Sequence, residues 1–240
     1  SLFSTLKGFL SNISPEFQFP QVAGVQITSG LIVKKDGTGD FTTIQACVNA
    51  AQAGDTCLVS AGIYSETVST IRSGTSGARI TFRGESGAIL NGLRVYHEYI
   101  SVEGFTFNGI NVNQHSAVRL YRGTHNFQFI GNSIQNTPYG ARGLGTDYDI
   151  PAVEVPRNIV IENNRFINTG DHMLTFDGSK WLVKNNYFEN NLGWDAIITT
   201  ASDTIITGNI FYISNPNNPN HADIIQTDAF SNPNEISRNV

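Results

Sequence analysis

From about residue 79 onward, a short pattern of apolar and polar positions repeats along the chain. The copies read VEGFTF, FIGNSI, IENNRF, VKNNYF and ITGNIF, and a last partial copy reads ISRNV. From the second copy on, an asparagine holds the same place, at positions 132, 164, 186, 209 and 239, in steps of 32, 22, 23 and 30 residues. Such steps predict a solenoid with a coil of about 22 residues and loop insertions in some coils.

The repeat predicts what each position does in a stack of coils. A single coil cannot bury its apolar face, but stacked coils place like residues above one another at about 4.8 Å. The last apolar position of each copy is then expected to form an inward column of Phe107, Ile134, Phe166, Phe188 and Phe211. The asparagines are expected at a sharp turn, with side-chain amides hydrogen-bonded along the stack. Leucine-rich and hexapeptide repeats are excluded because their signatures are absent.

A second strand is predicted before each copy. The aligned segments are 149–154, 172–177, 195–200 and 223–228, and 117–121 contributes the same strand in an earlier coil. Side chains alternate between the two faces of a strand. Leu174, Phe176, Ile197, Thr199, Ile225 and Thr227 are therefore expected inside, and Thr175, Asp177, Ile198, Thr200, Gln226 and Asp228 outside.

The N-terminal part differs from the repeats. Residues 1–13 place apolar side chains on one helical face, and 14–30 read as a linker. Between them and the repeats, Phe41, Ile44, Val48 and Ala51 fall on one face of an amphipathic helix that would cap the first coil and protect its edges. The sequence thus predicts a helix and linker over 1–30 and a parallel β-helix, an all-β solenoid, over 31–240. The last half-coil at Val240 suggests a natural chain that continues, or an end that another subunit covers.

Two cysteines lie in the capping region. Cys47 is on the predicted helix near its buried stripe, and Cys57 is in the following strand. A disulfide between them would fasten the cap to the first coil and imply an oxidising compartment. Two buried free thiols are the alternative.

Composition narrows the functional classes. Charged residues make up 15% of the chain and the net charge is −5, with no basic cluster, so nucleic acid is not an expected partner. No apolar run is long enough to span a membrane. No signal peptide is visible, although a mature secreted chain would have lost it.

Two stretches carry a resemblance to known families. Residues 33–45 (VKKDGTGDFTTIQ) and 62–66 (GIYSE) resemble the opening of pectin methylesterases and other pectin-lyase-like proteins. The esterases' paired aspartates and Arg–Pro–Trp turn are not found, so esterase activity is not expected. Residues 73–82 resemble a coil of bacterial polysaccharide lyases, and 221–226 (HADIIQ) are similar to a rung of uronate lyases and epimerases.

The resemblance implies a right-handed parallel β-helix of the pectin-lyase-like superfamily, secreted or at the cell surface, with a polysaccharide partner. The function favoured is a lyase that cleaves an acidic, uronate-containing polysaccharide by β-elimination. A glycoside hydrolase using outward carboxylates and a non-catalytic surface, adhesive or filament subunit that assembles end to end remain alternatives.

Uronate lyases need a positive group for the carboxylate, a base and an acid. The residues predicted to be catalytic are Arg119, Tyr121, His172 and His221, and those predicted to bind substrate are Arg122, Arg142, Tyr148 and Gln226. Arg142 and Tyr148 belong to a long insertion, 135–150, expected to form one wall of a cleft.

Stacked acidic groups repel one another unless a cation bridges them, which makes a Ca²⁺ site an expectation. Its predicted ligands are Glu154, Asp177, Asp223 and Asp228. Two purely structural roles are the alternatives. Aspartates at strand starts, such as Asp149 and Asp195, would cap turns, and Arg119 would be a solvated arginine beside Tyr121.

Overall fold

The computed structural model describes residues 30–108, 115–146, 154–213, 223–227 and 235–240. They form an all-β parallel solenoid of about seven turns, which confirms the predicted parallel β-helix. The predicted helix at 1–13, Tyr148, Asp149, His221 and Asp228 lie outside the described residues. No helix in the described ranges has the length and apolar character needed to cross a membrane.

One face of the solenoid is a nine-stranded parallel sheet, in which each coil adds one strand. Its strands are β1 (Leu31–Val33), β2 (Thr56–Val59), β4 (Ile80–Gly84), β6 (Ile100–Glu103), β9 (Gln128–Ile130), β12 (Arg157–Glu162), β15 (Ser179–Lys184), β18 (Ile205–Thr207) and β21 (Glu235–Ser237).

A twelve-stranded sheet forms the other two faces. The first face comprises β7 (Thr106–Asn108), β10 (Ser133–Gln135), β13 (Arg165–Thr169), β16 (Tyr187–Asn191) and β19 (Ile210–Tyr212). The second face comprises β8 (Ser116–Leu120), β11 (Arg142–Thr146), β14 (Leu174–Phe176), β17 (Ile197–Thr199) and β20 (Ile225–Thr227). The long strands β3 (Gly62–Ser69) and β5 (Ala88–Val95) join the two faces, because β5 pairs with both β7 and β8.

The predicted apolar column is present. Phe107, Ile134, Phe166, Phe188 and Phe211 are paired in register through β7, β10, β13, β16 and β19. The rings of Phe166, Phe188 and Phe211 stack at centroid distances of 4.9 and 4.8 Å. Along the second face, Leu174, Phe176, Ile197 and Thr199 are buried as predicted.

The asparagine ladder is also present. Asn132, Asn164, Asn186 and Asn209 are at most 2% exposed, and the side-chain oxygen of each of the last three accepts the backbone N–H of the asparagine one coil earlier. Their amide groups donate to strand carbonyls, as Asn186 Nδ2 does to Ile161 O at 2.9 Å. Each asparagine therefore satisfies buried backbone groups at the corner that both neighbouring coils need.

A short helix, α1 (Ile44–Ala50), covers the first coil. Ile44, Cys47 and Val48 are its buried residues, and Thr43 caps its N-terminus. The carboxylate of Glu66 accepts the N–H groups of Ile44 and Gln45, each at 3.0 Å, which explains the GIYSE motif as a helix-capping device. A disulfide joins Cys47 to Cys57 with Cα atoms 6.1 Å apart, so α1 is covalently held to β2.

One predicted strand is wrong. In the coil that precedes His172, the strand of the second face is Arg142–Thr146 and not 149–154: Leu144 pairs with Val118 on one side and with Leu174 on the other. The insertion follows this strand instead of preceding it, and Glu154 lies in a turn. Gly143 is required in this strand, since a Cβ would collide with the carbonyl oxygen of Met173.

Candidate functional site

The corrected register brings three arginines together on the second face. Arg94 of β5 pairs with Arg119 of β8, and Arg119 pairs with Gly145 of β11. The side chain of Arg142 lies next to position 145: a Cβ at Gly145 would be 3.4 Å from Arg142 Cδ. Arg142 is therefore beside the residue that pairs with Arg119.

A cleft of about 300 Å³ opens at the N-terminal ends of β8, β11 and β14. We call it the arginine cleft. Its lining residues are His115, Ser116, Arg119, Gly140, Arg142, Thr146 and Asp171.

Arg94 lies beneath the cleft and is 8% exposed. Its Nη1 donates to the carbonyl oxygens of Leu93, Ser116 and Ala117, at 2.9 to 3.3 Å. Burial lowers the pKa of Arg94, and the nearby charge of Arg119 adds to that effect, but a guanidinium stays protonated in proteins. Arg94 therefore contributes a fixed positive charge below Arg119.

A chain of side chains holds Arg142 from the opposite side. Arg142 Nε lies 3.6 Å from Asp171 Oδ2, and Asp171 Oδ1 lies 2.7 Å from His172 Nδ1. His172 Nε2 lies 3.5 Å from Asp195 Oδ2, while Asp195 Oδ1 accepts the N–H of Asp223 at 2.7 Å. These contacts run from the start of β11 through the residues just before β14 and β17, so they place a carboxylate beside the Arg142 guanidinium.

The contacts between Arg142, Asp171 and His172 shift two pKa values. Burial would raise the pKa of Asp171, but the hydrogen bond and charge of His172, together with Arg142, outweigh it and the pKa lies below its usual value. Burial lowers the pKa of Arg142, an effect that Asp171 opposes and Arg119 reinforces. Asp171 is thus a carboxylate at neutral pH.

The stability of the folded chain should depend on pH through the ionisation of Asp171. Because folding lowers its pKa, Asp171 stabilises the folded chain above its ordinary pKa of 3.8, and this contribution is lost as pH falls through the lower folded value. We expect Asp171→Asn to reduce stability by about 1 kcal/mol at pH 7. Thermal unfolding at pH 7 and at pH 3 should show the difference from wild type shrinking at pH 3. A constant difference would contradict the assigned role.

The structure separates other predicted catalytic residues. Tyr121 follows β8 at its C-terminal end, whereas His172 precedes β14, so they lie at opposite ends of the strands and two coils apart. Tyr121 stacks on Tyr96 with ring centroids 4.2 Å apart, and the Arg119 guanidinium lies 5.1 Å from the Tyr121 ring. Arg119 thus joins the tyrosine pair to the cleft.

Of the predicted substrate-binding residues, Arg142 lines the cleft. Arg122 lies outside its lining, with Nε 3.6 Å from Glu154 Oε2. Gln226 faces outward and is exposed on β20, in the same column as Ile198 and Thr175, as predicted. Trp181 is a core residue stacked on Phe176.

The predicted calcium ligands do not form a donor set in the part of the chain described. Glu154 is next to Arg122, and Asp223 donates its N–H to Asp195. Among the described residues, no three histidine, cysteine or acidic side chains are placed to hold a metal ion. The calcium site stays a prediction, and no chemical step below depends on it.

Sequence reasoning missed four residues that the fold brings to this site: Arg94, His115, Asp171 and the buried Asp195. Asp195 Oδ1 accepts the N–H of Asp223 one coil later, and its second oxygen faces His172. His115 is exposed at the cleft and has a left-handed φ of 58°. Of these four, His115 and Asp171 line the cleft, and the register of β11 brings Arg142 next to Asp171.

Comparison with protein-family models gives no match, and comparison with curated proteins gives none. Solved structures do match. An alginate lyase from Paenibacillus sp. str. FPU-7 is 14% identical, with a TM-score of 0.53 over 81% of this chain and 94% of that one. A pectin methylesterase in complex with a hexasaccharide is 16% identical, with a TM-score of 0.54 over 79% and 68%.

A PL6 family alginate lyase, AlyGC, is 18% identical with a TM-score of 0.52. The match covers 76% of this chain but 32% of that protein, so the chain spans about a third of its length. At these identities the likeness shows the fold alone: the parallel β-helix of alginate lyases and pectin methylesterases.

Proposed function

We propose that the chain binds an acidic polysaccharide in the arginine cleft and cleaves it by β-elimination. The observation that carries this proposal is that Arg119 and Arg142 line one cleft, with the buried Arg94 paired to Arg119, in a protein whose net charge is −5. A cluster of guanidinium groups in an acidic protein selects for anionic ligands, and guanidinium forks match carboxylate geometry. Solved structures with the same fold include alginate lyases, which supports this substrate class.

The chemistry follows from the groups that line the cleft. Arg119 and Arg142 neutralise the uronate carboxylate and so make the C5 proton more acidic. The imidazole of His115, exposed at the opening, takes that proton. The C5–H electron pair forms the C4–C5 double bond while the C4–O bond breaks, and the leaving oxygen takes a proton from water.

The proposal includes a location outside the cytosol, at the cell surface or secreted. The Cys47–Cys57 disulfide supports it, since disulfides persist in oxidising compartments.

One assay separates the candidate functions. The protein is incubated with alginate, polygalacturonate and glycosaminoglycans, and both unsaturated-uronate absorbance and new reducing ends are followed. A parallel rise of both signals on one polymer supports the lyase. Reducing ends without unsaturated product would identify a hydrolase, and binding with neither signal would identify a non-catalytic carbohydrate-binding β-helix.

A further inference from the structure

The turns beside the arginine cleft expose large apolar side chains. Tyr139 is 71% exposed in the turn before β11, and Leu192 and Trp194 are 48% and 44% exposed in the turn before β17. The turn between them, before β14, carries Gly170 and Asp171. Two aromatic side chains thus flank a turn that has a glycine in its middle.

These three turns are packed directly on one another. Gly140 N donates to Gly170 O at 3.1 Å, and a Cβ at Gly170 would collide with the carbonyl oxygen of Pro138. A Cβ at Gly193 would lie 2.6 Å from Gly170 O. Because residue 170 has no side chain, the turns that carry Tyr139 and Trp194 can pack closely on either side of it.

Trp194 is held in place by buried groups. The side chain of Asn191, 1% exposed, donates to Trp194 O and accepts the N–H of Gly193 at 3.3 Å. The indole is nearly parallel to the His172 ring, at 15° and a centroid distance of 6.4 Å. His172 contacts Asp171, which lines the arginine cleft, so the indole continues the surface of the cleft.

The geometry points to a second subsite for substrate: Trp194 and Tyr139, with Gly170 between them, form a platform for a pyranose ring next to the uronate in the cleft. This inference rests on the proposed function and adds the place of a neighbouring sugar. The faces of a pyranose carry C–H groups, which pack on an aromatic ring whether or not the sugar is charged. The platform would therefore make affinity depend on the length of the bound oligosaccharide.

Tryptophan fluorescence gives a direct readout. The chain has two tryptophans, and Trp181 is 1% exposed in the core, so a change on ligand binding reports Trp194. Galacturonate and mannuronate disaccharides and tetrasaccharides are titrated into the wild-type protein, and calorimetry gives their affinities. We expect the tetrasaccharide to shift the emission and to bind about fivefold to tenfold more tightly than the disaccharide, as expected for one aromatic stacking contact.

Variants then test the platform. Trp194→Ala should lose the gain from disaccharide to tetrasaccharide, and Trp194→Phe should keep part of it. Tyr212→Ala removes an aromatic side chain of similar exposure, 60%, from the other face of the same sheet and should leave the gain unchanged. Unaltered length dependence in Trp194→Ala, or emission that does not respond to the tetrasaccharide, would overturn the subsite while leaving the proposed function intact.

A failure of the proposed function has a different pattern. If no uronate oligosaccharide binds, a neutral tetrasaccharide such as cellotetraose is titrated next. A Trp194-dependent change with that probe supports the sugar platform and rejects the uronate cleft. No response to either probe rejects both.

Discussion

Replacing Asn186 by alanine is expected to lower the free energy of unfolding by about 4 kcal/mol, since it strands several buried polar groups at about 1–3 kcal/mol each. Asn186 Oδ1 accepts the backbone N–H and the amide of Asn164, at 2.9 and 3.0 Å. Its Nδ2 donates to Ile161 O at 2.9 Å and to Asn209 Oδ1 at 3.0 Å. Alanine leaves the Asn164 N–H and the Ile161 carbonyl without partners inside the stack. Guanidinium unfolding followed by circular dichroism measures the loss.

The matched control is Asn168→Gly. Asn168 also makes an asparagine–asparagine contact, to Asn136 at 3.0 Å, but it is partly exposed and has a left-handed φ of 53° that glycine adopts freely. We expect this change to cost less than about 1 kcal/mol, because water replaces the lost contact. Equal losses in the two variants would show that burial of the ladder does not set its contribution.

The ladder should also be non-additive. Asn164 and Asn186 share one hydrogen bond between their side chains, so both single alanine variants lose it. The double variant loses it once and should cost less than the sum of the single changes. Strict additivity would mean that each asparagine acts within its own coil only.

The parts of this fold that the sequence predicts are those that every coil repeats. Phe166, Phe188 and Phe211 recur at a fixed place next to an asparagine, and stacking at strand spacing then determines their contacts. The cap was predictable for a related reason, since an amphipathic helix and two cysteines have few other roles at the open end of a solenoid.

The candidate site was harder to predict because it depends on a coil that departs from the repeat. In β11 the strand reads Arg-Gly-Leu-Gly-Thr, and glycine normally weakens a strand. Here Gly143 is required, since a Cβ would collide with the carbonyl oxygen of Met173. The aligned apolar segment 149–154 is therefore predicted in place of Arg142–Thr146, which the structure pairs with β8 and β14.

Side-chain contacts between coils were also hard to predict from the sequence where an insertion separates the coils. The aligned segments 172–177 and 195–200 already place His172 next to Asp195, but the contact of Asp171 with Arg142 depends on the insertion after β11. Only the pairing of Leu144 with Leu174 and of Leu174 with Ile197 brings the four side chains into one row.

Replacing Arg142 by glutamine should lower kcat/KM on the cleaved polymer by about 10²- to 10³-fold, the loss typical when one donor to a developing charge is removed. Arg142 lines the cleft beside Arg119, and Asp171 holds its guanidinium at 3.6 Å. Arg142→Lys keeps the charge but not the planar fork, so activity should recover only in part. Steady-state kinetics of product formation on the polymer identified by the activity assay measures both.

Arg165→Gln is the matched control, because Arg165 is exposed on β13, on a different face of the solenoid, with its guanidinium 5.6 Å from the Tyr187 ring. Its kinetics should stay within about twofold of wild type, as for surface changes away from a site. If Arg142→Gln folds with wild-type stability and retains wild-type kcat/KM, the cleft is not where the carboxylate is neutralised. If Arg142→Lys equals wild type, point charge alone acts there, and the network of Asp171, His172 and Asp195 serves stability rather than orientation.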